Sequence, residues 1–127
     1  MNLYEQIIIM RKRPGNYMGT VTLNNIEKFI DGALFSLEVN KINDDFDDCF
    51  KKYFSWFVNY KLLNDDKYKD YKNDLEYNGG RGFVKLIEVI EKNNSNQTML
   101  FFELFEAFYL YYKKDYNFLN IVDKLKK

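Results

Sequence analysis

The sequence predicts an all-α protein, a single-domain bundle of about five to six helices over residues 1–127. Three observations carry that reading. Apolar and aromatic residues recur with a period of about 3.6 along stretches too long for strands, notably 46–60 and 100–112. Proline occurs once and glycine six times, so breaks are few and localised. The strand-like runs Gln6–Met10 and Gly19–Leu23 are too short to sustain a sheet.

The elements follow in order. Asn2–Lys12 reads as a first helix that ends before Pro14, whose ring disfavours α geometry in Arg13. Pro14-Gly15 fits a type II turn, with proline presetting φ and glycine supplying a positive φ, and Gly19 closes this structural turn. Thr22 or Asn24 caps a second helix whose apolar positions are Leu23, Ile26, Ile30, Ala33, Leu34 and Leu37; Asn40–Asn43 ends it. Asp44 and Asp45 start a third, since acids favour the positive end of the helix dipole, and it carries Phe46, Phe50, Tyr53, Phe54, Phe57 and Tyr60.

Residues 64–78 alternate Asp, Lys and Tyr and read as a loop with at most one irregular turn. Asn78-Gly79-Gly80-Arg81-Gly82 is a break. Phe83, Leu86, Ile87 and Ile90 make a fourth helix, closed by Lys92-Asn93-Asn94. Ser95–Thr98 opens a long fifth with Leu100, Phe101, Leu104, Phe105, Phe108 and Tyr112 on its core face. Phe118, Ile121, Val122 and Leu125 suggest a short last helix.

Composition narrows the function classes. The chain has 12 Phe and 11 Tyr, which suits a well-packed interior and leaves rings over for contacts. Nineteen basic and 19 acidic residues balance, so no global field favours nucleic acid or anionic lipid. Locally the charge is uneven. Arg11, Lys12 and Arg13 against Glu5 give residues 1–20 a net +2, residues 113–127 carry +3, and the stretch between carries −5. With no histidine, the usual general base and zinc ligand are missing, and the single Cys49 rules out an internal disulfide and a multi-cysteine metal site. No cofactor or metal is expected. No apolar run reaches a membrane span, and the basic cluster follows the first apolar stretch instead of preceding it, so the chain reads as cytoplasmic.

Two groups stand out as candidate partner-binding residues. Asp44, Asp45, Asp47 and Asp48, with Asp65 and Asp66 further on, offer an acidic face to a basic protein, where complementary charge speeds encounter. Helix capping with ordinary solvation is the plainer alternative, and it carries more weight. Tyr68 and Tyr71 suit a protein interface, because tyrosine supplies contact area at low entropy cost. Asp65, Asp66, Asp70 and Asp74 cancel the field of Lys67, Lys69 and Lys72, which argues against single-stranded nucleic acid. Cys49 reads as a small core residue, and Arg11–Arg13 as cations at a helix C-terminus.

Arg11-Lys12-Arg13-Pro14-Gly15-Asn16-Tyr17-Met18-Gly19 resembles two families. One is the gyrase B-type ATPases, where such a run precedes the nucleotide helix, and Ile30-Asp31-Gly32-Ala33-Leu34 is similar to that helix. Gly32 stands where that family holds magnesium with Asn, and the Asp-x-Gly-x-Gly adenine motif has no counterpart. The other resemblance spans about residues 7–108, through Met10–Gly19, Phe29-Ile30-Asp31-Gly32, Phe54-Ser55-Trp56-Phe57-Val58 and Leu100-Phe101-Phe102-Glu103-Leu104-Phe105-Glu106-Ala107-Phe108. These pieces resemble short helical bacterial proteins similar to immunity proteins of toxin systems. Asn16 replaces that family's Met, and Gly82-Phe83 stands where a Trp starts its fourth helix. The resemblance implies a non-enzymatic inhibitor that binds a cognate toxin, nucleases among them. The alternatives are a phage or bacterial adaptor that blocks a host enzyme and, further off, a degenerate nucleotide-binding protein. The sequence leaves monomer or homodimer open.

Overall fold

The computed structural model describes residues 1–13 and 21–114, and among these the chain forms helices and no strand. Six α-helices are present: α1 (Leu3–Lys12), α2 (Leu23–Val39), α3 (Asp45–Leu63), α4 (Lys72–Tyr77), α5 (Phe83–Ile90) and α6 (Asn94–Lys114). A 3-10 helix, Asp66–Tyr71, joins α3 to α4. Pro14, Gly15 and Gly19 of the expected turn, and the expected last helix over 118–125, lie outside the described residues.

Each start has a local cause, because the first N–H groups of a helix have no partner within it. Asn2 caps α1, accepting the Glu5 N–H at 2.9 Å, while the Glu5 carboxylate accepts the Asn2 N–H in return. Of the two expected caps for α2, Thr22 serves, taking the Asn25 N–H at 3.2 Å. Gly82 begins α5 at φ +93°, a backbone region closed to most side chains, and has no side chain to cap with. Ser55 on α3 supplies the missing acceptor, its Oγ taking the Phe83 N–H at 3.0 Å. At the other end of α5, Lys92 Nζ donates to the Glu88 and Val89 carbonyls at 3.2 and 2.9 Å.

The aromatic stripes of α3 and α6 face each other and make the core. Phe54 stacks on Phe50 at 4.5 Å between centroids and meets Phe83, Phe101 and Phe108 edge-on at 5.1, 5.9 and 5.5 Å. These are the separations and tilts that ring quadrupoles prefer, each pair adding about 0.5–1.5 kcal/mol beyond area burial. The α2 stripe Leu23, Ile26, Ile30, Ala33 and Leu37 is buried as its spacing requires, and α1 adds Leu3, Ile7 and Met10. Tyr4 lies parallel to Tyr109 at 3.5 Å, so the first helix seals against the last one described.

The polar stretch 64–78 departs from the sequence reading. It is ordered as the 3-10 helix and α4 instead of a loop, because Tyr68 and Leu75 are buried against the core and hold two short turns in place. Helix α5 ends at Ile90, with Glu91 already extended, and α6 begins at Asn94, one residue before the expected opening. No described helix is long and apolar enough to cross a membrane.

Candidate protein-binding surface

The acidic run at the start of α3 divides by function. Asp44 and Asp47 form a reciprocal capping box, the Asp47 N–H donating to Asp44 Oδ1 and the Asp44 N–H to Asp47 Oδ2, both at 2.9 Å. Asp47 Oδ1 also accepts the Leu3 N–H at 2.7 Å, and Asn2 Nδ2 donates to Asp44 Oδ2 at 2.9 Å. The α1 and α3 N-termini are thus pinned to each other. Asp47 is only 1% exposed, which corrects its place among the partner-facing acids: its carboxylate is used up inside the fold. Burial raises its pKa, opposed by the backbone hydrogen bonds from Asp44 and Leu3. Asp44, Asp45 and Asp48 remain exposed, with Asp48 accepting from Asn43 Nδ2 at 2.8 Å.

The second group sits elsewhere. Asp65 and Asp66 are exposed beyond the far end of α3, and Asp65 caps the 3-10 helix through the Lys67 N–H at 3.0 Å. The 19 residues of α3 separate them from Asp44 by about 28 Å at 1.5 Å per residue. The two acid groups are therefore not one face. Tyr68 is buried, its hydroxyl donating to Glu91 Oε1 at 3.0 Å, so it anchors the fold and is not open to a partner. Burial first, then the Glu91 contact, pushes its pKa well up. Tyr71 is half-buried and packs on the core.

What the sequence reading passed over is the company the corner acids keep. Phe35, Val39 and Ile42 are 69%, 60% and 61% exposed, large apolar side chains turned to solvent where α2 ends and α3 begins. Phe35 and Val39 are one turn apart on α2 and share a face. The signal was present as a second stripe, 35, 39 and 42, offset from the core stripe that 23, 26, 30, 33 and 37 make. The turn that follows α2 is fixed by two hydrogen bonds, Ile42 N to the Leu37 carbonyl at 3.0 Å and Lys41 N to that of Glu38 at 3.1 Å. Lys41 between them takes φ +56°, the left-handed region where a side chain is strained.

Beside this patch a groove of about 270 Å³ opens between α2, α3 and the start of α5. Ile30, Leu34, Phe50, Phe54 and Phe83 line its apolar part, and Phe35, Asp31, Glu38, Lys51 and Ser55 complete it. Glu38 and Lys51 pair across it at 2.7 Å, half exposed to solvent. Asp31 takes part in neither ion pair found among the described residues. One turn back on α2, Glu27 has a raised pKa, from burial first and then from the charges of Asp31 and of Glu88 on α5. Acidic charge therefore gathers along this side of α2.

Cys49 is buried on the core side of α3, and burial pushes its thiol up to about 12. Arg11 lies in the last turn of α1 with its guanidinium 4.8 Å from the Phe102 ring centre, a use internal to the fold. Among the described residues no group of three or more Cys, Asp and Glu side chains is placed to hold a metal ion. Comparison with protein-family models, curated proteins and solved structures finds no match to the chain.

Proposed function

We propose that the protein is a non-enzymatic, protein-binding inhibitor of the immunity type, acting on a toxin with a basic surface. One observation carries the reading: at the α2–α3 corner the exposed side chains of Phe35, Val39 and Ile42 are followed along the chain by the exposed carboxylates of Asp44, Asp45 and Asp48. Large apolar side chains held in solvent beside charge of one sign are the makings of an interface, with anchors in the middle and a steering rim. The toxin assignment rests on the N-terminal and α6 motifs and their resemblance to immunity-like proteins.

The test is capture from the native host with the wild-type protein and a variant carrying Phe35→Ser, Val39→Ser and Ile42→Ser. The expected result is a toxin retained by the wild type and lost by the variant, whose activity the wild type suppresses at equimolar ratio. Changing Asp45 and Asp48 together to Asn should slow association several-fold and blunt its salt dependence, leaving dissociation nearly unchanged. Capture of a host housekeeping enzyme instead would assign the adaptor reading. Equal capture by the triple variant would remove this surface from the interface.

A further inference from the structure

We infer that the groove between α2, α3 and α5 seats an apolar anchor side chain of the protein partner, with a lysine or arginine next to that anchor pairing with Asp31. This deepens the inhibitor reading and rests on it. Size is the first argument. At about 270 Å³ the groove falls just below the about 300–1,000 Å³ of sites for drug-sized ligands, and it suits one or two large side chains. Chemistry is the second. The groove is lined by Ile30, Leu34, Phe50, Phe54 and Phe83, which hold no side-chain hydrogen-bonding group, so what enters gains by leaving water.

Charge complementarity decides the third point. Lys51 is already spent on Glu38 across the groove, whereas Asp31 is exposed at its edge and in no ion pair among the described residues. Glu27 lies within reach of the charges of both Asp31 and Glu88, which raise its pKa after burial does, so three carboxylates gather on this side of α2. A cation arriving there relieves a repulsion as well as making a pair, while an anion meets three carboxylates. The groove also shares Phe35 with the exposed apolar corner, so an anchor in the groove lies next to the proposed interface.

The experiment follows backbone amide signals of the isotope-labelled full chain by NMR against three capped tetrapeptides at millimolar concentration. They are leucine-phenylalanine-lysine-lysine, leucine-phenylalanine-glutamate-glutamate and glycine-glycine-lysine-lysine. Only the first should move the signals of Ile30, Leu34, Phe54 and Phe83 in a saturable way. Asp31→Asn should weaken it about threefold, the scale of an exposed ion pair, and Asp31→Lys should turn the preference to the glutamate peptide. Asp31 is exposed, and circular dichroism of both variants checks that the helices persist. No saturable shift at the groove, equal response to the lysine and glutamate peptides, or an unchanged preference in Asp31→Lys would each overturn the inference. If it falls while the wild type still captures a toxin that the Phe35, Val39 and Ile42 variant does not, the inhibitor reading stands without the groove. If that capture also fails, both fall.

Discussion

Asp47 serves two helices at once, with Oδ1 on the Leu3 N–H and Oδ2 on that of Asp44. Asp47→Ala should therefore cost about 2–4 kcal/mol, the loss of a cap together with a buried N–H left without an acceptor. Its neighbour Asp48 is exposed, and Asp48→Ala should stay within about 1 kcal/mol. Urea unfolding of the two variants separates them. Cys49 offers a second measurement at this scale. Its thiol, pushed up to about 12 by burial, holds almost no thiolate near neutral pH and sits 1% exposed. Iodoacetamide should leave it unmodified in the native protein and label it rapidly in urea, read by mass spectrometry. Rapid native labelling would show that the α3 environment opens easily.

At the scale of elements, the turn after α2 makes a sharp case. Lys41 occupies a left-handed position that glycine takes without steric cost, so Lys41→Gly should raise stability by about 0.5–1 kcal/mol. A β-branched Lys41→Val should lower it, and thermal melts of both decide the matter. The same turn shows how much was legible beforehand. The α2 cap, narrowed to Thr22 or Asn24, the α3 start at Asp44 and the core stripes of α2, α3 and α6 could be read from the sequence, because capping and period-3.6 burial are local rules, whereas Asn2 read as part of the first helix and is its cap. The order in 64–78 could not be read, since nothing local marks Tyr68 and Leu75 as anchors; it is their burial against the core that orders those turns. Nor could Asp47 be told from Asp48. One residue of helix rotation sends the first to the Leu3 backbone and the second to water, and only the position of α1 reveals which. Phe35, Val39 and Ile42 were readable as a second stripe, but a stripe does not say whether it faces core or solvent.

For the whole molecule, the acidic side of α2 has a consequence for stability against pH. The folded protein holds the Glu27 proton more tightly than the unfolded chain does, through burial first and then the charges of Asp31 and Glu88. That contribution is complete below the ordinary carboxyl value of 4.5 and is lost as pH rises through the raised folded value. Glu27→Gln removes the repulsion. Its melting temperature relative to wild type should therefore climb as pH is raised from 4 toward 7, by about a few degrees at most for a partly exposed group. A flat difference across that range would mean that Glu27 is not strained in the fold.

The stack of Tyr4 on Tyr109, with Phe46 beside both, sets when in its own synthesis this protein can fold. The ring face of α3 gains its cover from α6, yet 49 residues separate the end of α3 at Leu63 from Tyr112. At about 5–20 residues per second a ribosome needs roughly 2.5–10 s to make them. Through that interval α3 has been translated without its covering helix, and the nascent chain is open to chaperones or to a neighbouring copy on the same message.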